Sequence, residues 1–240
     1  MNILITGGAS GLGAAMTRIL AKEKTNTIFF TYSNSSLKAK QIERDFDNVN
    51  SIKCDFKNST EVTSLVNNIQ NINIDVLINN AYSNNCIKTY FHKIPNESFE
   101  LDFINNLIPT IRITQSVITQ LRKKKNGKII TILTSALANT PPLGWSCYTA
   151  NKAYLESLVK SWATENIKFN ITSNSVSPGF MQTNLTSDVD DRIIDQMVVN
   201  HPLKKILTVE EVAETVKYLT KSSSHINGVD MLLNSGVNLK

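Results

Sequence analysis

Seven short apolar runs recur along the chain, separated by longer stretches of mixed character. They are NILIT (2–6), TIFFTY (27–32), NSIKC (50–54), DVLIN (75–79), KIITIL (128–133), NITSNSV (170–176) and VDMLL (229–233). Runs of this length, bounded by turn residues, suit strands buried on both faces of a parallel sheet. Between them the period changes. Residues 12–22 place Leu12, Ala15, Met16, Ile19 and Leu20 on one helical face. Residues 36–46 and 59–69 are amphipathic and open near serine or threonine, which are acceptable N-caps. Longer helices are predicted over 97–124 and 149–165, and a last one over 208–220, where Thr208 and Glu211 stand at capping-box spacing.

Strand and helix alternate throughout, with no linker, repeat or low-complexity break. The pattern predicts an α/β fold: a Rossmann-type, doubly wound, mainly parallel seven-stranded sheet with helices on both faces, in one domain spanning 1–240. In such sheets ligands bind beyond the carboxyl ends of the strands, where the strand order reverses. Functional residues are therefore expected just after the apolar runs.

Composition narrows the function classes. Apolar residues make up 41% and charged residues 19% of the 240, enough for a packed core. No apolar run reaches the roughly 20 residues of a membrane span, and the N-terminus lacks the features of a signal peptide. The three cysteines, Cys54, Cys86 and Cys147, share no metal-ligand spacing and point to a reducing compartment. The expectation is a cytoplasmic protein with no metal site and no membrane partner. Net charge is +5, and the one dense basic run is RKKK at 122–125, expected to be a helix end meeting the negative pole of the helix dipole. A nucleic-acid protein would more often carry a basic stripe interleaved with aromatics.

The first run ends in TGGASGLG (6–13), a glycine turn between a strand and a helix. Gly7 allows the tight turn, Gly11 lets backbone approach a pyrophosphate, and Gly13 allows close helix packing. The helix start offers N–H groups and a positive dipole end to phosphates. Further along, YTANK (148–152) sets Tyr148 and Lys152 one helical turn apart. A lysine ammonium near a phenol favours the phenolate and lowers its pKa from about 10, which is what an acid–base tyrosine needs. Taken singly, each of these residues has an ordinary structural explanation.

Together, in this order, they resemble the short-chain dehydrogenases/reductases. The resemblance covers nearly the whole chain. TGGASGLG is similar to that family's cofactor turn, with Gly7, Ser10, Gly11, Leu12 and Gly13 in contact positions. CDF (54–56) resembles its adenine-contacting segment, with Asp55 and Phe56. NNAY (79–82), with Asn80 and Ala81, resembles its N-N-A-G motif, except that Tyr82 stands for the glycine. Asn106 sits where the family carries a catalytic asparagine, and Ser135, Tyr148 and Lys152 resemble its Ser–Tyr–Lys set. Thr134 stands beside Ser135 as the alternate hydroxyl, because adjacent strand residues face opposite ways. SPGFMQT (177–183) is similar to the P-G turn, with Pro178, Gly179 and Thr183 near the nicotinamide. The C-terminal LLNSG departs from the pair of glycines common there.

The resemblance implies a nicotinamide cofactor. An acidic residue ending the second strand would repel a 2′-phosphate. Here that strand runs into Tyr32, Ser33 and Asn34, with Lys38 the nearest cation, so NADP(H) is expected over NAD(H). Residues 184–203 read as a substrate lid, and their register is similar to that of 3-oxoacyl-carrier-protein reductases. The expected function is NADPH-dependent reduction of a ketone, a 3-oxoacyl thioester being the leading substrate. RKKK would then be available to an acidic acyl carrier protein. A dehydrogenase of a sugar or small secondary alcohol, and a non-catalytic nucleotide-binding regulator, are the competing readings. The resemblance also implies a homo-oligomer, dimer or tetramer, joined through the long helices.

Overall fold

The computed structural model describes residues 1–83, 88–138, 140–187 and 189–237. Cys86, and Asp188 within the expected lid, lie outside the described residues. One seven-stranded sheet runs through the molecule in the order β3-β2-β1-β4-β5-β6-β7. Every neighbouring pair is parallel. The strands are β1 (Asn2–Ile5), β2 (Thr27–Tyr32), β3 (Val49–Lys53), β4 (Val76–Asn79), β5 (Gly127–Ile132), β6 (Ile171–Pro178) and β7 (Asp230–Leu233). The helices are α1 (Gly11–Ala21), α2 (Ser36–Asp45), α3 (Ser59–Ile72), α4 (Asn96–Lys124), α5 (Ser146–Asn166), α6 (Asp191–Asn200) and α7 (Val209–Lys221).

The period of two along the inner strands divides the core. Ile3, Ile5, Val76, Ile78 and Ile130 face one way and pack with Met16 and Leu20 of α1 and Val212 and Val216 of α7. Leu4, Leu77 and Ile129 face the other way and pack with Leu65 and Ile69 of α3, Ile113 and Val117 of α4 and Val159 of α5. Both faces of the central strands are thus dry, which explains why these runs look continuously apolar. β3 and β7 are the edge strands, and β7 is the shorter. It is four residues long and begins with exposed Asp230, whose carboxylate accepts from the hydroxyls of Ser175 and Ser177. A short, charged edge is a poor template for pairing with other chains.

The expected boundaries hold within a few residues, with three differences of substance. Helix α5 starts at Ser146 and not at 149, so Tyr148 is already helical. β6 runs on to Pro178. The expected lid contains α6, whose start Asp190 caps by accepting from the Arg192 amide. The basic run ends α4 as expected. Arg122 donates to the Asn166 carboxamide and Lys124 to Asp75 and the Ile74 carbonyl, leaving Lys123 and Lys125 exposed. These two stand at the amino end of β5, opposite to the carboxyl ends where the cleft lies. No helix among the described residues is long and apolar enough to cross a membrane.

The capping box before α7 is formed: the Glu211 amide donates to Thr208 Oγ1 at 3.2 Å, and the Thr208 amide to Glu211 Oε2 at 2.9 Å. Replacing Thr208 by alanine removes one half of this exchange and is expected to lower stability by about 1 kcal/mol. Denaturant unfolding followed by circular dichroism measures it.

Candidate active site

The cleft opens at the switch point, where the chain leaves β1 for one side and β4 enters from the other. Its floor is the glycine turn. Gly7 and Gly11 have φ of +70° and +49°, backbone that side chains rarely adopt, and a Cβ on Gly13 would sit 1.9 Å from the Gly7 carbonyl oxygen. Strand β2, the segment after β4 and α1 itself hold the turn. Thr31 Oγ1 accepts from the Gly7 amide at 2.9 Å, and Thr17 Oγ1 lies 2.9 Å from the Gly13 carbonyl oxygen. From the segment after β4, Asn80 Nδ2 donates to the Thr6 carbonyl at 2.9 Å and to that of Gly7 at 3.2 Å. Thr6 Oγ1 in return accepts the amides of Asn80 and Ala81. Ser10 precedes α1 without making a side-chain cap, so the first N–H groups of the helix face the cleft uncapped.

The opposite wall carries Tyr148, Lys152, Thr134 and Ser135. Tyr148 lies in the first turn of α5, edge-on to Tyr82 (centroids 5.1 Å) and to Trp145 (5.3 Å). Lys152, one turn on, is 4% exposed, and its Nζ donates to the Ile132 carbonyl at 2.7 Å. That nitrogen stands 5.1 Å from the Tyr82 ring centroid and 5.7 Å from that of Tyr148. Burial disfavours the ammonium and lowers its pKa from 10.5 to about 8. Thr134 and Ser135 both line the cleft. Thr134 Oγ1 accepts the Ala136 amide as the cap of a single 3-10 turn, whereas the Ser135 hydroxyl makes no bond among the described residues.

Behind this wall lies a polar network that sequence reasoning did not find. The Asp102 carboxylate of α4 is 3% exposed. Its Oδ2 accepts from the Tyr82 hydroxyl at 2.6 Å and from Asn151 Nδ2 at 2.7 Å, and its Oδ1 accepts from Asn106 Nδ2 at 2.9 Å. Burial pushes the Asp102 carboxyl up, and the three hydrogen bonds act against that shift. Asn106 is itself 1% exposed and does not line the cleft. Its amide donates to Asp102, and its Oδ1 accepts the Ser83 amide at 2.5 Å. Its place is behind the cleft wall, at the centre of this network.

The cleft has a volume of about 810 Å³, within the range of ligand sites. It gathers Gly7, Ser10, Gly11, Leu12, Gly13, Tyr32, Ser33, Asp55, Phe56, Asn80, Ala81, Ser135, Tyr148, Lys152, Pro178, Gly179 and Thr183. Of the expected residues only Asn34, exposed beyond β2, and Asn106 are not brought to it. Trp145, Phe180, Met181, Leu207 and His201 line it without having been anticipated. From the lid, Ile193 and Met197 face the cleft and Ile194 turns into the protein. Lys88 ties the rim together, stacking over Trp145 at 4.5 Å and donating to the Leu185 carbonyl at 3.2 Å. Cys54 also lines the cleft, but burial pushes its thiol up to about 12, which removes it as a nucleophile.

A glycine turn that delivers an uncapped helix end to a switch-point cleft defines a dinucleotide-binding α/β protein. Residues 7–238 match the family described as enoyl-(acyl carrier protein) reductase. The chain is 32% identical over 238 residues to the 3-oxoacyl-acyl-carrier-protein reductase of Buchnera aphidicola subsp. Acyrthosiphon pisum, covering 97% of this chain and 95% of the relative. It is 30% identical over 236 residues to the protein of the same name from Rickettsia bellii, covering 98% and 95%. A solved structure titled as a putative betaketoacyl-ACP reductase superposes with a TM-score of 0.85 at 27% identity, over 98% of this chain and 97% of that one. The chain belongs to the short-chain dehydrogenase/reductase family. It is a ketoreductase-type, NAD(P)-dependent oxidoreductase acting on CH–OH/C=O groups. The residues fit such a cofactor: the positive-φ glycines leave the turn open, and a β-carbon at Gly13 would close it.

Burying Lys152 costs stability. Its shift from 10.5 to about 8 corresponds to about 3 kcal/mol, a penalty fully present below pH 8 and relieved as pH rises towards 10.5, where the unfolded chain also loses the proton. Lys152→Met is therefore expected to raise Tm at pH 7 by about 5 °C, read by calorimetry, and the gain should shrink above pH 9.

Proposed function

We propose that the protein uses NADPH to reduce the 3-oxo group of an acyl thioester, with Tyr148 delivering the proton. The observation that carries this reading is the placement of Tyr148 and buried Lys152 on one wall of a cleft whose floor is the glycine turn. The bound nicotinamide would supply the hydride. Every other requirement falls to the chain. Lys152, held as an ammonium, stabilises the phenolate that Tyr148 becomes on giving up its proton. Its three donors can serve ribose hydroxyls in place of the Ile132 carbonyl. Ser135, whose hydroxyl makes no bond among the described residues, donates to the same substrate oxygen and shares the developing charge. Thr134 holds the turn that presents Ser135. Ile193, Met197 and Phe180 cover an apolar acyl chain and exclude water.

The names of the curated relatives support a carrier-bound substrate; exposed Lys123 and Lys125 lie at the far end of the sheet from the cleft and add nothing to that reading. A homo-oligomer is supported by apolar side chains left exposed on the long helices, Leu101, Ile104 and Ile108 of α4 and Tyr154 of α5.

The decisive assay follows NADPH loss with 3-oxoacyl thioesters, free and carrier-bound, against 2-enoyl thioesters, free ketones and sugars. Tyr148→Phe should lose about 10²- to 10⁴-fold in turnover. Ser135→Ala should lose more than Thr134→Ser, which keeps the cap. Turnover surviving in Tyr148→Phe would sink the acid–base assignment. A preference for sugars or enoyl thioesters would sink the substrate.

For the cofactor, a groove beside the glycine turn is lined by Ser10, Arg18, Lys38 and Gln41 and shares Ala9, Ser10 and Gly11 with the main cleft. Arg18 is paired with Asp45 at 2.6 Å, whereas Lys38 forms no ion pair among the described residues. Lys38 is the cation proposed for the 2′-phosphate. Lys38→Ala should raise KM for NADPH about ten-fold and leave KM for NADH unchanged; equal effects on both would refute it.

A further inference from the structure

Tyr82 has three separate relations to the site, and no residue of the hydride-transfer set explains them. Its ring is edge-on to Tyr148, with centroids 5.1 Å apart. The same ring stands 5.1 Å from Lys152 Nζ, inside the roughly 6 Å range of a cation–π contact. Its hydroxyl donates to buried Asp102 at 2.6 Å, the length of a charge-assisted hydrogen bond. Asp102 is in turn fixed by Asn151 and Asn106, so the ring's plane is set by two helices, α4 and α5.

We propose that Tyr82 is a positioning residue of this site: its ring, oriented by the Asp102–Asn151–Asn106 network, stabilises the Lys152 ammonium beside Tyr148. The inference rests on the reading of Tyr148 and Lys152 as the acid–base pair. Lys152 is almost wholly buried, and among the described residues no carboxylate is bonded to it and its one hydrogen-bond acceptor is the Ile132 carbonyl. The negative faces of two aromatic rings are therefore its main source of charge compensation. Donation from the Tyr82 hydroxyl to a carboxylate moves electron density into the ring and strengthens its negative face. The groups facing Lys152 are Tyr148 from α5, Tyr82 from the segment after β4 and the Ile132 carbonyl from β5. Asp102 of α4 acts on it through Tyr82. A small residue at position 82 would leave the ammonium facing Tyr148 alone.

The test grades the ring without changing its shape. Position 82 carries tyrosine, then phenylalanine (Tyr82→Phe), then phenylalanine with increasing ring fluorination, which drains the negative face at nearly constant volume. Lys152 titration is followed by NMR of lysine side chains, assigned with Lys152→Met, and melting curves confirm folding. The expected midpoint is highest for tyrosine, lower for phenylalanine and lowest for the fluorinated ring. The whole series should span about half to one pH unit. In the reductase assay the alkaline limb of the pH profile should move down in step, while the NADPH dissociation constant changes less than about two-fold. A midpoint that stays fixed along the series overturns the proposal. If the midpoint moves but the wild-type protein reduces no carbonyl, the support of Lys152 by Tyr82 stands and the reductase reading falls.

Discussion

The site depends on one crowded contact, where the start of α1 touches the end of β1. A β-carbon at position 13 would lie 1.9 Å from the Gly7 carbonyl oxygen, so helix and strand meet backbone to backbone. That approach brings the uncapped helix end over the sheet at the place where the strand order reverses. It is stapled from β2 by Thr31 and from the segment after β4 by Asn80, each supplying a side chain to the turn's main chain. The open cleft and the direction of the helix dipole both follow from that geometry. So does the distance from the turn to the wall bearing Tyr148.

The opposite wall is governed by a different constraint, the cost of keeping a charge out of water. Among the described residues, buried Lys152 has a single carbonyl as hydrogen-bond acceptor and two aromatic rings for company. Asp102, also buried, is satisfied by three neutral donors instead of a cation. The two charges do not pair directly; Tyr82 stands between them, its ring against Lys152 and its hydroxyl on Asp102. A direct ion pair would hold Lys152 charged at every accessible pH and turn it away from Tyr148. Separation leaves the ammonium close to its titration range and aimed at the phenol.

Much of this was legible in the residues. The strands were readable because a parallel sheet dry on both faces demands mostly apolar runs, as in Val76–Ile78 and, with Thr131 as its one polar member, Ile129–Ile132. The glycine turn was readable because only glycine tolerates both the positive φ and the close approach. Helix α6 was missed as a helix although Ile193, Ile194, Met197 and Val198 carry its spacing, because its polar face reads as loop. The network of Tyr82, Asp102 and Asn151 could not be found by spacing. Its members lie 20 and 49 residues apart and meet only through folding. One local sign existed: Asp102 precedes Asn106 by one helical turn, a polar pair on a face otherwise turned inward. Asn106 was expected from the resemblance to be catalytic, and its carboxamide is spent on Asp102 and Ser83 behind the cleft wall. Hydrogen-bond partners of that kind cannot be assigned from a single sequence.

The depth of these charges has a consequence for the protein's response to ionic strength. Dissolved ions screen charges that face solvent, over a Debye length of about 8 Å in physiological salt, and screen buried ones far less. Lys152 and Asp102 lie inside the protein, whereas Lys38 borders an open groove. On the proposed reading, rising salt would erode the discrimination between the two nicotinamide dinucleotides long before it touched the acid–base step. Cofactor choice would then answer to the composition of the surrounding solution, and the chemistry to the interior of the fold.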